Sequence, residues 1–113
     1  HPQLTKLLVV FPHLRVLRLA TVGMKEVPKS IGKLIHLRHL DLPGNYFCEL
    51  PKSVNQGVNL QSLDLTYCYS LDKLPVEIGE LSNFLSLDLT YCDSLDKLPG
   101  EMSKLVKLRN LWL

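Results

Sequence analysis

SLDLTYCYSLDKLP occupies residues 62–75, and SLDLTYCDSLDKLP occupies residues 86–99, 24 residues further along the chain. The two stretches differ at one position, where Tyr69 in the first corresponds to Asp93 in the second. Shorter copies of the motif extend over the rest of the chain: LRVLRL at 14–19, LRHLDL at 37–42 and LRNLWL at 108–113. Self-similarity at a fixed period of roughly 20–50 residues indicates an architecture of stacked repeats.

The units share the pattern LxxLxLxx, with Phe84 at the first leucine position of the fourth unit, then Asn or Cys (Val22 in the first unit), and five or six residues later an apolar residue followed by proline. The alternation of Leu40 and Leu42 has the period of two that is typical of a strand with one buried face. After the proline, residues 28–34 space their apolar side chains three apart, which favours a single turn of 3₁₀ or α-helix. Proline suits the start of such a turn because the first helical residue has no N–H bond to lose.

A unit of this size cannot bury its own leucines, so successive units must stack their strands in parallel, about 4.8 Å apart. The sequence therefore predicts an α/β solenoid, with a curved parallel sheet on its concave face and short 3₁₀ or α turns and loops on its convex face. We expect one array, divided into the tail of a preceding repeat at 1–13, four repeats at 14–36, 37–59, 60–83 and 84–107, and the start of a fifth at 108–113. One departure is Gly57, which occupies a slot that holds leucine in the other units and predicts a cavity unless Val58 fills it.

The composition excludes several classes of protein. Leucine accounts for 26 of the 113 residues, hydrophobic residues make up 46% and charged residues 21%, which is too apolar for a disordered tail. The longest apolar run, at 7–11, is too short to span a membrane, and no signal peptide is visible. The chain begins at His1 rather than methionine, so we expect it to be a fragment of a longer protein.

The formal net charge of +2 conceals an uneven distribution of charge. Residues 1–40 carry seven Lys or Arg against one acid, residues 41–96 carry nine acids against two Lys, and residues 97–113 carry four bases against one acid. So small a net charge argues against a dedicated nucleic-acid binder. The basic first third is either a local binding patch or an ordinary solvated face.

The residue that follows each strand predicts a structural ladder of polar side chains. Where the chain leaves the sheet, its backbone N–H and C=O groups point inward and need partners. The slot holds Asn45, Cys68 and Cys92, whose amide or thiol groups hydrogen bond to backbone, and Val22, whose side chain does not. We therefore expect the ladder to be weakest in the first unit.

The cysteines admit two interpretations. Cys68 and Cys92 stand in equivalent slots of adjacent units, at a Cα separation of about 5 Å that a disulfide tolerates. Their repeated position favours two structural thiols over a bridge. The odd number of cysteines, with Cys48 as the third, and the lack of an Asn-x-Ser/Thr sequon indicate a reducing, intracellular setting.

No catalytic or metal-binding constellation is visible. The cysteines lack zinc spacing, and His36 and His39 enter a strand without a second pair of ligands. The chain contains no GxSxG, no phosphate-binding glycine-rich loop and no HExxH. We therefore predict a protein that is not an enzyme and holds neither a metal nor a cofactor in this chain.

The residues between the leucines of LxxLxL point outward and stack into columns on the concave face. This face is the candidate partner-binding surface, and its candidate residues are Arg15, Arg18, Arg38, His39, Asp41, Asp64, Tyr67, Asp88, Tyr91 and Trp112. Stacked aspartates repel one another, and exposed tyrosines are enriched at binding hot spots, which suggests an acidic, aromatic-flanked surface for a protein with a basic patch. The alternative is that these residues belong to the repeat consensus and were copied by tandem duplication.

The residues between the repeated leucine slots indicate a particular family more specifically than the fold does. LRVLRL at 14–19 followed by VPKSIGKLIHLRHLDL at 27–42 closely resembles the leucine-rich repeats of plant nucleotide-binding leucine-rich-repeat (NB-LRR) disease-resistance proteins, and LDLTYC with LDKLP is also similar to that family. Extracellular receptor kinases usually carry a Gly-x-Ile-Pro element where this chain has Leu-Pro or Val-Pro.

The resemblance implies the protein-recognition module of a cytoplasmic receptor of plant innate immunity. Such a module senses a pathogen effector or a guarded host protein and restrains a nucleotide-binding switch in the defense response. The family's nucleotide-binding motifs are absent here, so ADP or ATP is expected only in a nucleotide-binding domain outside this chain, which would be an intramolecular partner. On this interpretation Arg15, Arg18 and Arg38 face that domain.

Two other functions fit the repeats. One is a cytosolic scaffold similar to the Ras-group leucine-rich repeats, and the other is the substrate-recognition array of a ubiquitin ligase. The three are distinguished by flanking sequence, because a GxxxxGK[ST] loop upstream would indicate the receptor and an F-box or ligase domain would indicate the last.

Overall fold

The repeated leucine motifs form one parallel sheet, which a computed structural model describes for residues 2–113. Five strands lie side by side in chain order, each paired with the next in parallel. Their bounds are β1 Val16–Arg18, β2 His39–Asp41, β3 Ser62–Asp64, β4 Ser86–Asp88 and β5 Asn110–Trp112. The predicted α/β solenoid with a parallel sheet is confirmed.

The register of the sheet follows the repeat spacing. The central leucines of the strands are aligned across the sheet, and they are Leu17, Leu40, Leu63, Leu87 and Leu111. The first four are buried, whereas the residues on either side of them in each strand are exposed or half-buried. Period-two alternation therefore places one face of the sheet against the core and leaves the other open.

Four 3₁₀ turns follow the four strand-and-loop segments on the opposite side of the molecule. They span Lys29–Lys33, Lys52–Gln56, Val76–Glu80 and Gly100–Lys104. Each begins directly after a proline in extended conformation, and the 3₁₀ bond closes back to that proline, as when Ile31 N–H donates to Pro28 O at 3.1 Å. Of the two kinds of turn that the spacing allowed, the structure has 3₁₀.

A nine-residue α-helix, α1, spans Pro2–Val10 and contacts the first 3₁₀ turn. Its Leu8 is buried in the core, while Val9 and Val10 are exposed. The expectation that residues 1–13 are the tail of a preceding repeat stays a prediction, and residue 1 lies outside the described residues. Within residues 2–113, no helix is long and apolar enough to cross a membrane.

The core is a continuous row of apolar side chains between the sheet and the 3₁₀ turns. Phe47 and Phe84 are its largest members, and both are completely buried. The backbone of each strand lies beside the neighbouring strands, and the backbone of each 3₁₀ turn lies beside the neighbouring turns, with α1 beside the first turn. Stability therefore comes from contacts between adjacent units.

Gly57 ends the second 3₁₀ turn with the same backbone conformation as the leucines that end the other three. Val58 does not fill the leucine slot, because its side chain is 54% exposed. A Cβ on Gly57 would instead lie 3.3 Å from Val54 O and 3.7 Å from Leu60 Cβ. A Cβ at this position would therefore lie close to the carbonyl oxygen of Val54 in the same turn.

Candidate partner-binding face

The concave face carries a column of charged residues that runs across all five strands. Strand pairing aligns Arg18 with Asp41, Asp64, Asp88 and Trp112 in that order. Asp41, Asp64 and Asp88 form what we call the acidic column. The structure brings these predicted site residues together, because the period of the repeat returns each aspartate to the same register.

Arg18 lies on the acidic column rather than with the other arginines. Its Nη1 is 3.4 Å from Oδ2 of Asp41 and 3.8 Å from Oδ2 of Asp64. The Arg18 side chain is 57% exposed, so solvent screens the pairs and they contribute only about 0–1 kcal/mol to stability. The sequence placed Arg18 in the same column as the aspartates, but the reach of its side chain across two strands is a finding of the structure.

Arg15 and Arg38 are neighbours at the start of the first two strands. The backbone N–H of Arg38 donates to Arg15 O at 2.8 Å, and both side chains are exposed. They form a basic pair at the N-terminal end of the array, where α1 precedes the first strand. The three arginines grouped by the sequence are thus divided between this pair and the acidic column.

His39 belongs to a second column, with Val16, Ser62, Ser86 and Asn110. Its Nδ1 is 2.7 Å from Ser62 Oγ, and Asn110 Nδ2 donates to Ser86 Oγ at 3.1 Å. His36 is separate from His39, and its ring lies 5.2 Å from that of His13. Within residues 2–113 there is no group of three or more His, Cys, Asp or Glu that could hold a metal ion.

Tyr67 follows β3 and Tyr91 follows β4. Both have a left-handed backbone conformation, with φ of 60° and 62°. Their rings stack with centroids 5.1 Å apart and an interplanar angle of 21°. Both side chains are about half exposed. The sequence identified both residues, but it missed Tyr69, whose ring lies edge-on to Tyr67 with centroids 6.2 Å apart.

The strands β3 and β4, which carry Asp64 and Asp88, end in the same hydrogen-bonded turn. Thr66 donates its backbone N–H and its hydroxyl to Oδ1 of Asp64, at 2.9 and 2.7 Å. Thr90 does the same for Oδ1 of Asp88, at 3.0 and 2.6 Å. These bonds fix the orientation of both carboxylates at the ends of their strands. The repeated Asp-Leu-Thr-Tyr motif is the sequence signal for this arrangement.

A cleft of about 440 Å³ lies beside the first tyrosine. It opens because the positions equivalent to Tyr67 in the first two units hold the smaller residues Thr21 and Gly44. Arg18 and Tyr46 are also in its lining, so a guanidinium and a tyrosine border the same space. The acidic column, its turns and this cleft together make an open surface suited to binding side chains of another molecule.

The polar residues after the strands lie under this surface. Asn45 Oδ1 accepts from Val22 N–H at 3.2 Å and from Met24 N–H at 3.1 Å, and Asn45 Nδ2 donates to Leu19 O at 2.8 Å and to Leu42 O at 3.0 Å. The amide therefore bridges the first two units, although Val22 itself contributes only backbone.

Cys68 and Cys92 make the equivalent bonds in the next units, with Sγ donating to Leu42 O at 3.3 Å and to Leu65 O at 3.0 Å. The structure has both as free thiols. Burial raises the pKa of Cys68 above its usual range. Burial, with a smaller effect of Cys68, raises the pKa of Cys92 to about 11. Both thiols are therefore protonated donors at neutral pH.

Comparison with protein families, solved structures and curated proteins shows what this chain is similar to. The family described as a leucine-rich repeat region matches residues 2–113. A solved leucine-rich-repeat protein of Leptospira interrogans is 38% identical in sequence to this chain, with a TM-score of 0.74. The match covers 87% of this chain and 24% of that one. This chain therefore spans about a quarter of the length of that protein. The leucine-rich repeat domain of the type III effector XopL is 16% identical, with a TM-score of 0.37, over 89% of this chain and 69% of that one, and supports no argument. No curated protein matches the chain.

Proposed function

This chain belongs to the leucine-rich-repeat family, and from that premise we propose that its concave face is the protein-recognition surface of an intracellular plant immune receptor. Leucine-rich-repeat domains are generally protein–protein interaction modules, and the fold is typically a non-catalytic scaffold. The proposal of an immune receptor is supported by the wording of the repeats, which resembles the disease-resistance proteins. Its ligand would be a pathogen effector or a guarded host protein.

The observation that carries the proposal is the pairing of the acidic column with two stacked, exposed tyrosines. Exposed aromatic rings beside charged groups are typical of binding hot spots, because they bury apolar area while their polar atoms find partners. A complementary partner presents basic side chains to Asp64 and Asp88. Such complementarity increases the rate of association and makes binding dependent on salt.

Charge reversal in the full-length protein tests the ligand-binding role. We expect Asp64→Lys with Asp88→Lys to abolish ligand-dependent signalling and to remove the salt dependence of partner binding. Asp72→Lys is the matched control, because Asp72 is exposed and lies outside the strands. Unchanged binding and salt dependence in the double variant would contradict the proposal.

We further propose that the basic start of the chain contacts a nucleotide-binding domain outside it and keeps that domain inactive. Arg15 and Arg38 form an exposed basic pair, and Arg18 follows on the same strand as Arg15. The domain would supply the site for ADP or ATP, with no cofactor held in this chain. A cytoplasmic location is consistent with three free thiols.

Alanine at Arg15, Arg18 and Arg38 tests this restraint. The expected result is signalling without ligand in the full-length protein, because the contact that holds the switch inactive is lost. Arg109→Ala is the control, since Arg109 is also exposed but lies at the other end of the array. Resting activity equal to that of the unmodified protein would contradict the restraint and favour a scaffold without a nucleotide switch.

A further inference from the structure

The acidic column is only partly neutralised by the chain itself. Arg18 pairs with Asp41 and Asp64, whereas no basic side chain of residues 2–113 lies within 4.0 Å of the carboxylate of Asp88. Thr90 occupies Oδ1 of Asp88 with two hydrogen bonds. The other carboxylate oxygen, Oδ2, does not take part in these two bonds. It corresponds to the oxygen of Asp64 that lies 3.8 Å from Arg18 Nη1.

Two exposed aromatic residues lie close to Asp88 in the fold, one on the adjacent strand and one in the turn that follows β4. Trp112 is aligned with Asp88 across the β4–β5 pair, which places the two residues on the same face of the sheet, about 4.8 Å apart. Tyr91 follows Asp88 by three residues and stacks on Tyr67. Trp112 and Tyr91 are 48% and 56% exposed, so both rings are open to a ligand.

One unit earlier, the carboxylate that corresponds to Asp88 does have a cation beside it. There the guanidinium of Arg18 contacts Asp64, and Arg18, Thr66 and Tyr67 border a single cleft. Asp88 and Tyr91 repeat the same motif with the same threonine bonds. Within residues 2–113, the later copy therefore has the carboxylate and the aromatic ring without a cation.

We propose that a partner protein supplies an arginine whose guanidinium binds Oδ2 of Asp88 between the rings of Trp112 and Tyr91. This rests on the proposed function, and it specifies the chemistry of the ligand at that same surface. Arginine is favoured over lysine because a planar guanidinium bonds to a carboxylate and stacks on an aromatic face at once, whereas an ammonium is a compact, strongly hydrated charge. Trp is also the aromatic side chain that attracts cations most strongly.

The single tryptophan makes the test direct, since the fluorescence of Trp112 reports on the site itself. The 113-residue chain is titrated with acetyl-Gly-Arg-Gly-amide and with acetyl-Gly-Lys-Gly-amide at equal ionic strength. We expect a saturable change with the arginine peptide and an affinity about two- to fivefold lower for the lysine peptide.

Asp88→Asn is the site variant, because asparagine keeps an oxygen for the two threonine bonds while it removes the charge. We expect it to weaken the arginine peptide about two- to fivefold, with Asp72→Asn as the matched control that leaves binding unchanged. A thermal melt of each variant shows that the fold is retained.

Equal affinity for the two peptides, no saturable change, or equal effects of Asp88→Asn and Asp72→Asn would overturn the arginine site. These outcomes are separable from failure of the proposed function. If charge reversal at Asp64 and Asp88 still abolishes signalling while the peptides do not discriminate, the surface recognises charge without an arginine at this site. If neither has an effect, the acidic face is not the ligand surface.

Discussion

Asn45 is the residue on which the turn between the first two units depends most. Asn45 is 1% exposed, and its side chain satisfies two backbone N–H and two backbone C=O groups from the turns of two adjacent units. The position could be predicted from sequence because backbone leaving a sheet needs inward polar partners. The reach of its amide to Met24 and Leu19 required the tertiary structure.

We predict that Asn45→Ala lowers the free energy of unfolding by about 2–4 kcal/mol, because it leaves several buried backbone groups without partners. Urea unfolding measures the loss. Asn59→Ala is the control, since Asn59 is exposed and its Nδ2 donates a single bond to Ile35 O at 3.0 Å. A loss below about 1 kcal/mol for Asn45→Ala, or an equal loss in both variants, would contradict the bridging role.

The buried thiols predict a specific dependence of stability on pH. Because folding raises the pKa of Cys92 to about 11, the folded protein holds the thiol proton more tightly than the unfolded chain. The stabilisation is complete below about pH 8.5, the pKa of an unfolded thiol, and is lost as the pH rises through 11.

Urea unfolding between pH 7.5 and pH 11 tests this, with about three intermediate pH values resolving the slope. We expect Cys92→Ala to lose less stability over that interval than the unmodified chain. Cys48→Ala, which removes an exposed thiol, should lose as much as the unmodified chain. Parallel curves for all three proteins would show that Cys92 does not contribute to the slope.

At the scale of elements, the 3₁₀ turns pack against one another through backbone. A Cβ on Gly32 would lie 2.6 Å from Ser53 O in the next turn, which is closer than atoms approach without a shift. Gly32 is therefore required by the close approach of two turns. The sequence indicated that turns follow the prolines, but the distance between turns depends on how the core fills.

We predict that Gly32→Ala destabilises the protein by about 1–3 kcal/mol, because the added methyl group forces the first two turns apart. Gly100→Ala is the matched control, since a Cβ there meets nothing within 4 Å, and it should change stability by less than about 0.5 kcal/mol. Equal melting temperatures for the two variants would show that the turns tolerate the methyl group.

At the scale of the whole molecule, the burial of a leucine depends on where it lies in the array. Leu63 and Leu111 occupy the same slot of their strands, but Leu63 is 1% exposed and Leu111 is 40% exposed. Leu63 has a strand on both sides, whereas Leu111 lies on β5, the last strand of the sheet. Within this 113-residue chain, a leucine in this slot therefore contributes more where a strand flanks it on both sides.

We predict that Leu63→Ala costs about 2–5 kcal/mol, because it opens a cavity in the middle of the core. In this 113-residue chain, Leu111→Ala should cost less than about 1 kcal/mol, because Leu111 has a strand on one side only and is 40% exposed. Chemical unfolding monitored by circular dichroism compares the two. Similar losses would show that the core is not built from neighbouring units in the way that its contacts indicate.

The sequence by itself determined the period, the strand positions, the buried leucine slots and the alignment of the acidic column. These features depend only on local patterns and on a constant spacing between units, which together define the stacking. The proline and the apolar spacing of three residues allowed either a 3₁₀ or an α-helical turn, and the structure has 3₁₀ turns.

Only the tertiary structure decided that Arg18 reaches Asp64, that Tyr67 and Tyr91 stack, that Val58 does not fill the slot at Gly57, and that no cation of residues 2–113 lies within 4.0 Å of the Asp88 carboxylate. Each of these depends on the directions of side chains that meet across adjacent units. A repeat pattern defines where the Cα atoms stand, whereas long polar and aromatic side chains choose among rotamers according to the neighbours they find in space. That is why the columns followed from the sequence and the chemistry of the binding face did not.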